Sequence, residues 1–446
     1  MTKKQMKESI SVVGLGKLGA CLAACLAHKK FSVIGYDTNA HTVALVRKRQ
    51  APVQEPKLQE LLKTVSPRIC ATTDAQKILK ETSITFIVVP TPSLRNGIFS
   101  DAYIRAFFTT IAPFLKCVTH HHIFVIVSTV LPGTTECLIT RLEKDSGKKI
   151  NKDFSICYNP EFIALGSVIA NTLEPDLVLI GESNREAGNR VEKIYHHLCD
   201  NAPRIARMSI VSAEITKIAL NAYVTMKISF ANTLGNLCER VSGADVDTIT
   251  TALGADRRIS PYYLKAGTAY GGPCFPRDSK AFSTFAKSLG LKAPLAEASD
   301  IVNDFQIDDL IYKIEHELKK KKHHAISFLG LSYKPKTPVI EESAAIRVIE
   351  HLIKKHPRLK MYAYDPLSNM IAGKMFGKKI TCERSMKACL NRSSLWIITT
   401  PEAEFKTIRA AHATHAPVTI IDSWRLLDSK KLGKNILYHQ IGVFLK

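Results

Sequence analysis

No two cysteines in this sequence stand as Cys-x-x-Cys, and no apolar run approaches the roughly 20 residues of a membrane span. The eleven cysteines, at 21, 25, 70, 117, 137, 157, 199, 238, 274, 382 and 389, are odd in number and scattered. That distribution favours reduced thiols in a cytoplasm over a disulfide framework, and it offers no metal site. The opening nine residues are polar and basic and lead straight into an apolar stretch, so neither a signal peptide nor a membrane partner is expected. Also missing is any reading helix or base-stacking platform, which argues against nucleic acid as the partner of a chain with a formal net charge of +22. The basic residues are spread along the chain. The one dense run, 319–324, falls where a helix is expected to end and where cations complement its dipole. The charge therefore reads as a solvated surface with some attraction for phosphorylated ligands.

What is present is ordinary for a folded protein: 46% hydrophobic and 23% charged residues over 446 positions, enough for two or three domains. An apolar strand over 10–13 runs into Gly14-Leu15-Gly16-Lys17-Leu18-Gly19, followed by a helical 20–28 and a second strand over 31–36 that ends at Asp37. Alone, Gly-x-Gly-x-x-Gly is a weak signal. Between a strand and a helix it predicts a loop whose backbone approaches a pyrophosphate at a helix N-terminus. Asp37 would accept from a ribose diol and repel a 2′-phosphate, which predicts NAD rather than NADP. Two polar turns, Pro90-Thr91-Pro92 and the segment from Ser128 and Thr129 to Thr135, follow expected strands over 85–89 and 123–127. They fall on the edge where ligands bind in an open parallel sheet, although Pro, Gly, Ser and Thr also make turns with no ligand. Asn159-Pro160-Glu161-Phe162 reaches the same edge after a strand over 154–157, and Glu161 reads either as a base or as a helix-starting carboxylate.

From 212 to about 242 the pattern is helical, with Glu214, Lys217 and Asn221 spaced to share one face. Read structurally, Glu214 and Lys217 form an exposed ion pair of small weight. Read functionally, Lys217 is a cation able to favour a thiolate at Cys274, and Asn221 is a donor toward a developing oxyanion. The other side of this helix (Ile218, Ala222, Ile228, Ala231, Leu234, Leu237) is apolar enough to suggest a core or a subunit interface. In Gly271-Gly272-Pro273-Cys274-Phe275-Pro276-Arg277-Asp278 the glycines allow close backbone approach and the prolines stiffen the loop. Cys274 is either an aimed nucleophile or a buried free cysteine beside an ordinary turn. The last third, with a helix over 300–322, a strand over 325–329, a helix over 343–355 and strands over 360–364, 395–399 and 418–421, repeats the strand and helix alternation of the start. A second, smaller doubly wound domain is expected there.

Taken in order, the glycine loop, Asp37, Pro90-Thr91-Pro92, Ser128-Thr129-Val130, Asn159-Pro160-Glu161-Phe162, Glu214-x-x-Lys217-x-x-x-Asn221, the Cys274 loop and Lys334-Pro335 form a set. This set resembles the UDP-glucose and GDP-mannose dehydrogenase family of nucleotide-sugar dehydrogenases, across essentially the whole chain. The resemblance implies an α/β protein of two doubly wound Rossmann-like domains joined by a long central helix and a helical middle domain. The expected divisions are 1–207 for NAD, 208–322 for the central domain with the cysteine loop, and 323–446 for the UDP-sugar. It implies a cytoplasmic, NAD-dependent, four-electron oxidation of a sugar C6 alcohol to a carboxylate, serving surface polysaccharide. UDP-glucose is the first choice of substrate, with UDP-N-acetylhexosamine or GDP-mannose as alternatives.

By position, Cys274 would form a thiohemiacetal and then a thioester, Lys217 and Asn221 would stabilise oxyanions, Asp278 and Thr129 would hold water, and Glu161 would act as general acid/base. The implied NAD contacts are Gly14, Gly16, Leu18, Gly19, Asp37, Pro90, Thr91 and Thr129. The implied substrate contacts are Glu161, Lys217, Asn221, Arg258, Lys265, Gly271 and Lys334, with Arg258 reaching across a homodimer or higher oligomer. Arg425 reads as a nucleotide contact or as a surface arginine. Two departures stand out: Leu165 occupies a position where many relatives carry a glutamate, and no arginine precedes Glu341-Glu342-Ser343. The first leaves room for a non-catalytic, dinucleotide-binding regulatory protein, and the second leaves the exact sugar nucleotide open.

Overall fold

The structure is a computed structural model that describes residues 8–444 except 95, 164, 322, 415 and 416. The chain divides into two compact units, Met1–Ile218 and Ala219–Lys446. The first is built on eight strands: β1 (Ser9–Val13), β2 (Ser32–Tyr36), β3 (Ile69–Thr72), β4 (Ile84–Ile87), β5 (His122–Ile126), β6 (Phe154–Tyr158), β7 (Leu177–Glu182) and β8 (Arg204–Ser209). They lie in the order β3-β2-β1-β4-β5-β6-β7-β8, all neighbours parallel except β6 and β7. The inner strands are buried along their length and mostly apolar because helices cover both faces. Gly19–His28 and Arg185–Leu198 contribute to the core on one face, and Ala102–Leu115 and Thr134–Ser146 to the core on the other. The order reverses between β1 and β4, which opens a crevice at the carboxyl ends of those strands.

The second unit begins within the helix Ile210–Cys238 and continues through helices Val246–Ala255, Phe275–Ser288 and Pro294–Lys321. It then builds a parallel sheet of β9 (Ala325–Leu329), β10 (Lys360–Tyr364), β11 (Thr381–Cys382), β12 (Leu395–Ile398), β13 (Val418–Asp422) and β14 (Ile436–Gln440). Its order, β11-β10-β9-β12-β13-β14, repeats that of the first six strands of the other sheet. The long helix starts two residues before the expected 212 and stops at 238 rather than about 242. Arg240 Nη1 donates to the terminal carbonyl of Asn236, and the chain then turns at Gly243 (φ +79°). The helix expected over 300–322 starts earlier, at Pro294, a residue suited to a first helical position because no donor is needed there.

Inside the first sheet, Ser11 Oγ lies 2.7 Å from Thr85 Oγ1, which lies 2.8 Å from His122 Nε2. This polar ladder crosses β1, β4 and β5 in a site from which water is excluded, and burial pushes the His122 imidazole down to about 3 from 6.5. An unfolded imidazole takes up a proton below about 6.5, whereas the folded one stays neutral. The stability due to this difference is complete above that pH and is lost as pH falls toward about 3. His122→Asn is expected to flatten the acid-side slope of stability across that window, read from urea midpoints at a series of pH values; an unchanged slope contradicts the burial of a neutral ring.

Candidate active site

The loop after β1 is shaped by two glycines that admit no side chain. A Cβ on Gly14, at φ +88°, would stand 2.3 Å from the Val88 carbonyl oxygen, and one on Gly19 would stand 1.8 Å from the Gly14 oxygen. Around Gly16, by contrast, the space is open and the residue is exposed. Asp37, just past β2, accepts from the N–H of Leu15 and of Asn39, each at 2.8 Å. The carboxylate thus holds the loop at the mouth of the helix Gly19–His28, where backbone donors face outward, and the arrangement can seat a pyrophosphate. Leu18 is the N-cap residue of that helix. Across the crevice, Ser128 Oγ donates to the Val89 oxygen at 2.7 Å and accepts from the Val89 N–H at 2.9 Å. This tie fastens the Pro90-Thr91 turn to the turn carrying Thr129; Thr91 is buried, Thr129 is half-buried and Pro90 is exposed.

Glu214 corrects the expectation of an exposed ion pair with Lys217. Its carboxylate is fully buried and accepts from the N–H of Gly133 at 2.7 Å and of Thr135 at 2.9 Å, at the N-terminus of the helix Thr134–Ser146. Carboxylates belong at that end of a helix dipole. One turn on, Lys217 is also buried: its ammonium donates to the Glu161 carbonyl oxygen at 2.7 Å and stands 4.6 Å from the Phe162 ring centroid. The Glu161 carboxyl receives Tyr195 Oη at 3.2 Å, and burial pushes it up to about 7 against the opposing pull of Tyr195 and Lys217. A carboxyl titrating near neutrality is suited to proton transfer in either direction. Leu165 packs against the apolar core of this unit.

In the second unit, Cys274 is exposed and stands immediately before the helix Phe275–Ser288. The loop before it is pressed against the segment after β9: Gly272 (φ +82°) donates from its N–H to the Glu341 oxygen at 3.0 Å, and a Cβ there would stand 2.5 Å from the Tyr333 ring. One turn into the helix, Asp278 is completely buried, with Asn221 Nδ2 at 2.6 Å from one carboxylate oxygen and Arg277 Nε at 2.9 Å from the other. Lys334 lies with its ammonium 5.7 Å from the Tyr333 ring centroid. Arg258 is largely exposed and pairs with Asp256, and Lys265 is exposed. Arg425 is neither a surface residue nor available to a phosphate. Its side chain is 3% exposed, it pairs with both oxygens of Asp247, and its remaining donors meet the carbonyls of Ala266, Ile441 and Ser423. Sequence reasoning missed Tyr195 and the Arg277–Asp278 pair. A tyrosine on an apolar helix face reads as core, and Arg277 stands next to Asp278 in the first turn of a helix, where only packing decides which way each side chain turns.

Two sheets of nucleotide-binding order, a glycine loop with its carboxylate and a cysteine at a helix N-terminus define a dinucleotide-dependent oxidoreductase. The chain matches the models of the UDP-glucose/GDP-mannose dehydrogenase family in all three parts: the NAD binding domain at residues 8–199, the central domain at 211–305 and the UDP binding domain at 327–429. The chain belongs to this family and is an NAD-dependent nucleotide-sugar 6-dehydrogenase, so the non-catalytic alternative gives way. It is 34% identical over 358 residues to a GDP-mannose 6-dehydrogenase of Pseudomonas putida, covering 79% of this chain and 80% of that one. It is 30% identical over 441 residues to the UDP-glucose 6-dehydrogenase TuaD of Bacillus subtilis, covering 98% and 93%. Among solved structures, a UDP-glucose dehydrogenase from Pyrobaculum islandicum superposes with a TM-score of 0.89 at 28% identity, over 99% of both chains. Among the described residues no helix is long and apolar enough to cross a membrane.

Asp37→Ala removes a charged acceptor from the cofactor loop. The NAD dissociation constant measured by calorimetry is expected to rise about 10- to 100-fold. Unchanged affinity would take Asp37 out of the cofactor site.

Proposed function

We propose that this enzyme oxidises UDP-glucose to UDP-glucuronate through a covalent intermediate on Cys274. The observation that carries the covalent reading is the exposed Cys274 at the start of a helix, where N–H groups favour negative charge on sulfur, with the Asn221–Asp278 pair one turn below. The UDP-glucose assignment draws support from two relatives named for that activity, which span 98% and 99% of the chain. Phe275 and Asp278 are compatible with either the UDP-glucose or the GDP-mannose branch.

NAD, bound at the glycine loop and Asp37, supplies the hydride acceptor for both oxidation steps. Gly14, Gly16, Leu18, Gly19, Pro90, Thr91 and Thr129 complete that cofactor site. The C6 alcohol loses a proton and a hydride to give an aldehyde, and the Cys274 sulfur adds to its carbonyl carbon. Lys217 and Asn221 donate to the oxygen on which charge develops. Loss of a second hydride from the carbon, together with the hydroxyl proton, turns the thiohemiacetal into a thioester. Water held by Thr129 and Asp278 then attacks with Glu161 taking its proton, the carbon–sulfur bond breaks, and the carboxylate leaves while the thiol is restored. Arg258, Lys265, Gly271 and Lys334 hold the nucleotide diphosphate, cations and backbone being suited to it.

The enzyme acts in the cytoplasm, in the making of surface polysaccharide, as a homodimer formed through the central helices. Tyr223, Phe230 and Leu237 recur every seven residues along the long helix and are exposed, as are Ile301, Phe305 and Tyr312 on the helix Pro294–Lys321. Apolar stripes of this kind mark an interface.

Incubated with NAD and a panel of UDP- and GDP-sugars, the enzyme is expected to form two NADH per molecule of UDP-glucose; turnover confined to a GDP-sugar overturns the substrate assignment. Cys274→Ser is expected to abolish acid formation with NAD affinity nearly intact, and equal loss of both contradicts the covalent role. Phe230→Glu with Phe305→Glu is expected to halve the mass seen by sedimentation; an unchanged mass excludes these stripes as the interface.

A further inference from the structure

Asn159 and Glu161 follow β6, and the helix Arg185–Leu198 turns a buried tyrosine, Tyr195, toward both. Tyr195 Oη lies 2.7 Å from Asn159 Oδ1 and 3.2 Å from Glu161 Oε1. Asn159 Nδ2 donates to the Leu179 oxygen at 2.8 Å, which orients the amide so that its oxygen faces the phenol as an acceptor. A phenol carries one proton, and here two acceptors compete for it.

We infer that Tyr195 is a positioning residue for the dehydrogenase reaction, its hydroxyl proton turning between Asn159 and Glu161 so that the same carboxyl group is held in both of its protonation states. With Glu161 ionised, Tyr195 donates to the carboxylate. With Glu161 protonated, the carboxyl O–H donates to Tyr195 Oη, and the phenol proton turns to Asn159 Oδ1. Only hydrogen bonds change; no proton passes through Tyr195, and the proton that Glu161 gains or gives up is exchanged on the reaction side.

The groups facing Glu161 agree with this assignment. From the helix Arg185–Leu198 and its end come Tyr195 and Cys199, from the long helix Lys217, and from Gly19–His28 Cys25. Burial pushes Cys25 up to about 12 and Cys199 up to about 11, so neither carries charge near neutral pH. The Lys217 side-chain nitrogen is bonded to the Glu161 backbone oxygen, not to its carboxyl, by a contact of 2.7 Å. Tyr195 is the neighbour able to follow the carboxyl as it changes state.

This inference rests on the reading of Glu161 as the acid/base of thioester hydrolysis, and the test separates the two. Glu161→Gln measures the reading: acid formation is expected to fall by about 100-fold or more. Tyr195→Phe measures the inference. Hydrogen bonds to a charged group are stronger than neutral ones, so the variant loses more from the ionised state than from the protonated one. The acid limb of kcat is expected to move to higher pH by up to about one unit, a roughly tenfold change in ionisation, with KM for the sugar and NAD affinity unchanged. An inactive Glu161→Gln beside a Tyr195→Phe enzyme with an unshifted profile overturns the role of Tyr195. A fully active Glu161→Gln overturns the reading beneath it. If Tyr195→Phe does not fold, the wild-type protein decides by infrared titration: a carboxylic C=O band absent from Glu161→Gln should titrate together with a tyrosine C–O band, and a carboxylic band that titrates with no tyrosine change overturns the inference.

Discussion

The first unit depends on one buried carboxylate. Glu214 receives the first free N–H groups of the helix Thr134–Ser146, and it sits one turn before Lys217 on the long helix. Those donors have no partner within their own helix, and a carboxylate has no place in an apolar interior without donors. Each solves the difficulty of the other. The bond sets the long helix in rotation and height against the turn that follows β5, and this delivers the Lys217 ammonium to the Glu161 backbone.

The same device recurs, in both units, at the ends of second strands. Asp37 after β2 holds the N–H of Leu15, and Asp365 after β10 holds the N–H groups of Leu331 and Ser332. In each case a glycine at positive φ, Gly14 or Gly330, donates to the carbonyl that closes the neighbouring strand, Tyr36 or Tyr364, at 2.8 Å. The two sheets thus share strand order and also the way a carboxylate shapes the loop at the crevice. Hydrogen bonds from N–H groups and Ser332 hold Asp365 below the usual carboxylate range despite its burial.

Burial is what turns these acids into different tools. Asp278 is ringed by Asn221 and Arg277, whereas the half-buried Glu161 has a phenol and a nearby ammonium and is pushed up to about 7. A carboxyl group near that value both gives and takes a proton, the property that the proposed thioester hydrolysis asks of its acid/base. Leu165 is given over to packing, so the proposed role falls to Glu161 without a second carboxylate at that position.

Much of this was legible in the residue order. Glycines between a strand and a helix, a carboxylate ending the next strand and the repeat of that logic after residue 323 specify two doubly wound sheets, because strand, turn and helix signals are local. The family motifs, each a short string, single out Cys274, Lys217, Asn221, Asp278 and Glu161 as candidates. What the string could not disclose were partners distant along the chain: Glu214 with Gly133, Tyr195 with Glu161, and Arg425 with Asp247. An Arg or a Glu reads as solvent-facing until the fold removes the water, and only then must its charge find a partner. Local periodicity and turn chemistry settled the elements and their order, while the pairing, burial and proton affinity of the charged groups were decided by the tertiary structure, since desolvation exists only once the chain is folded.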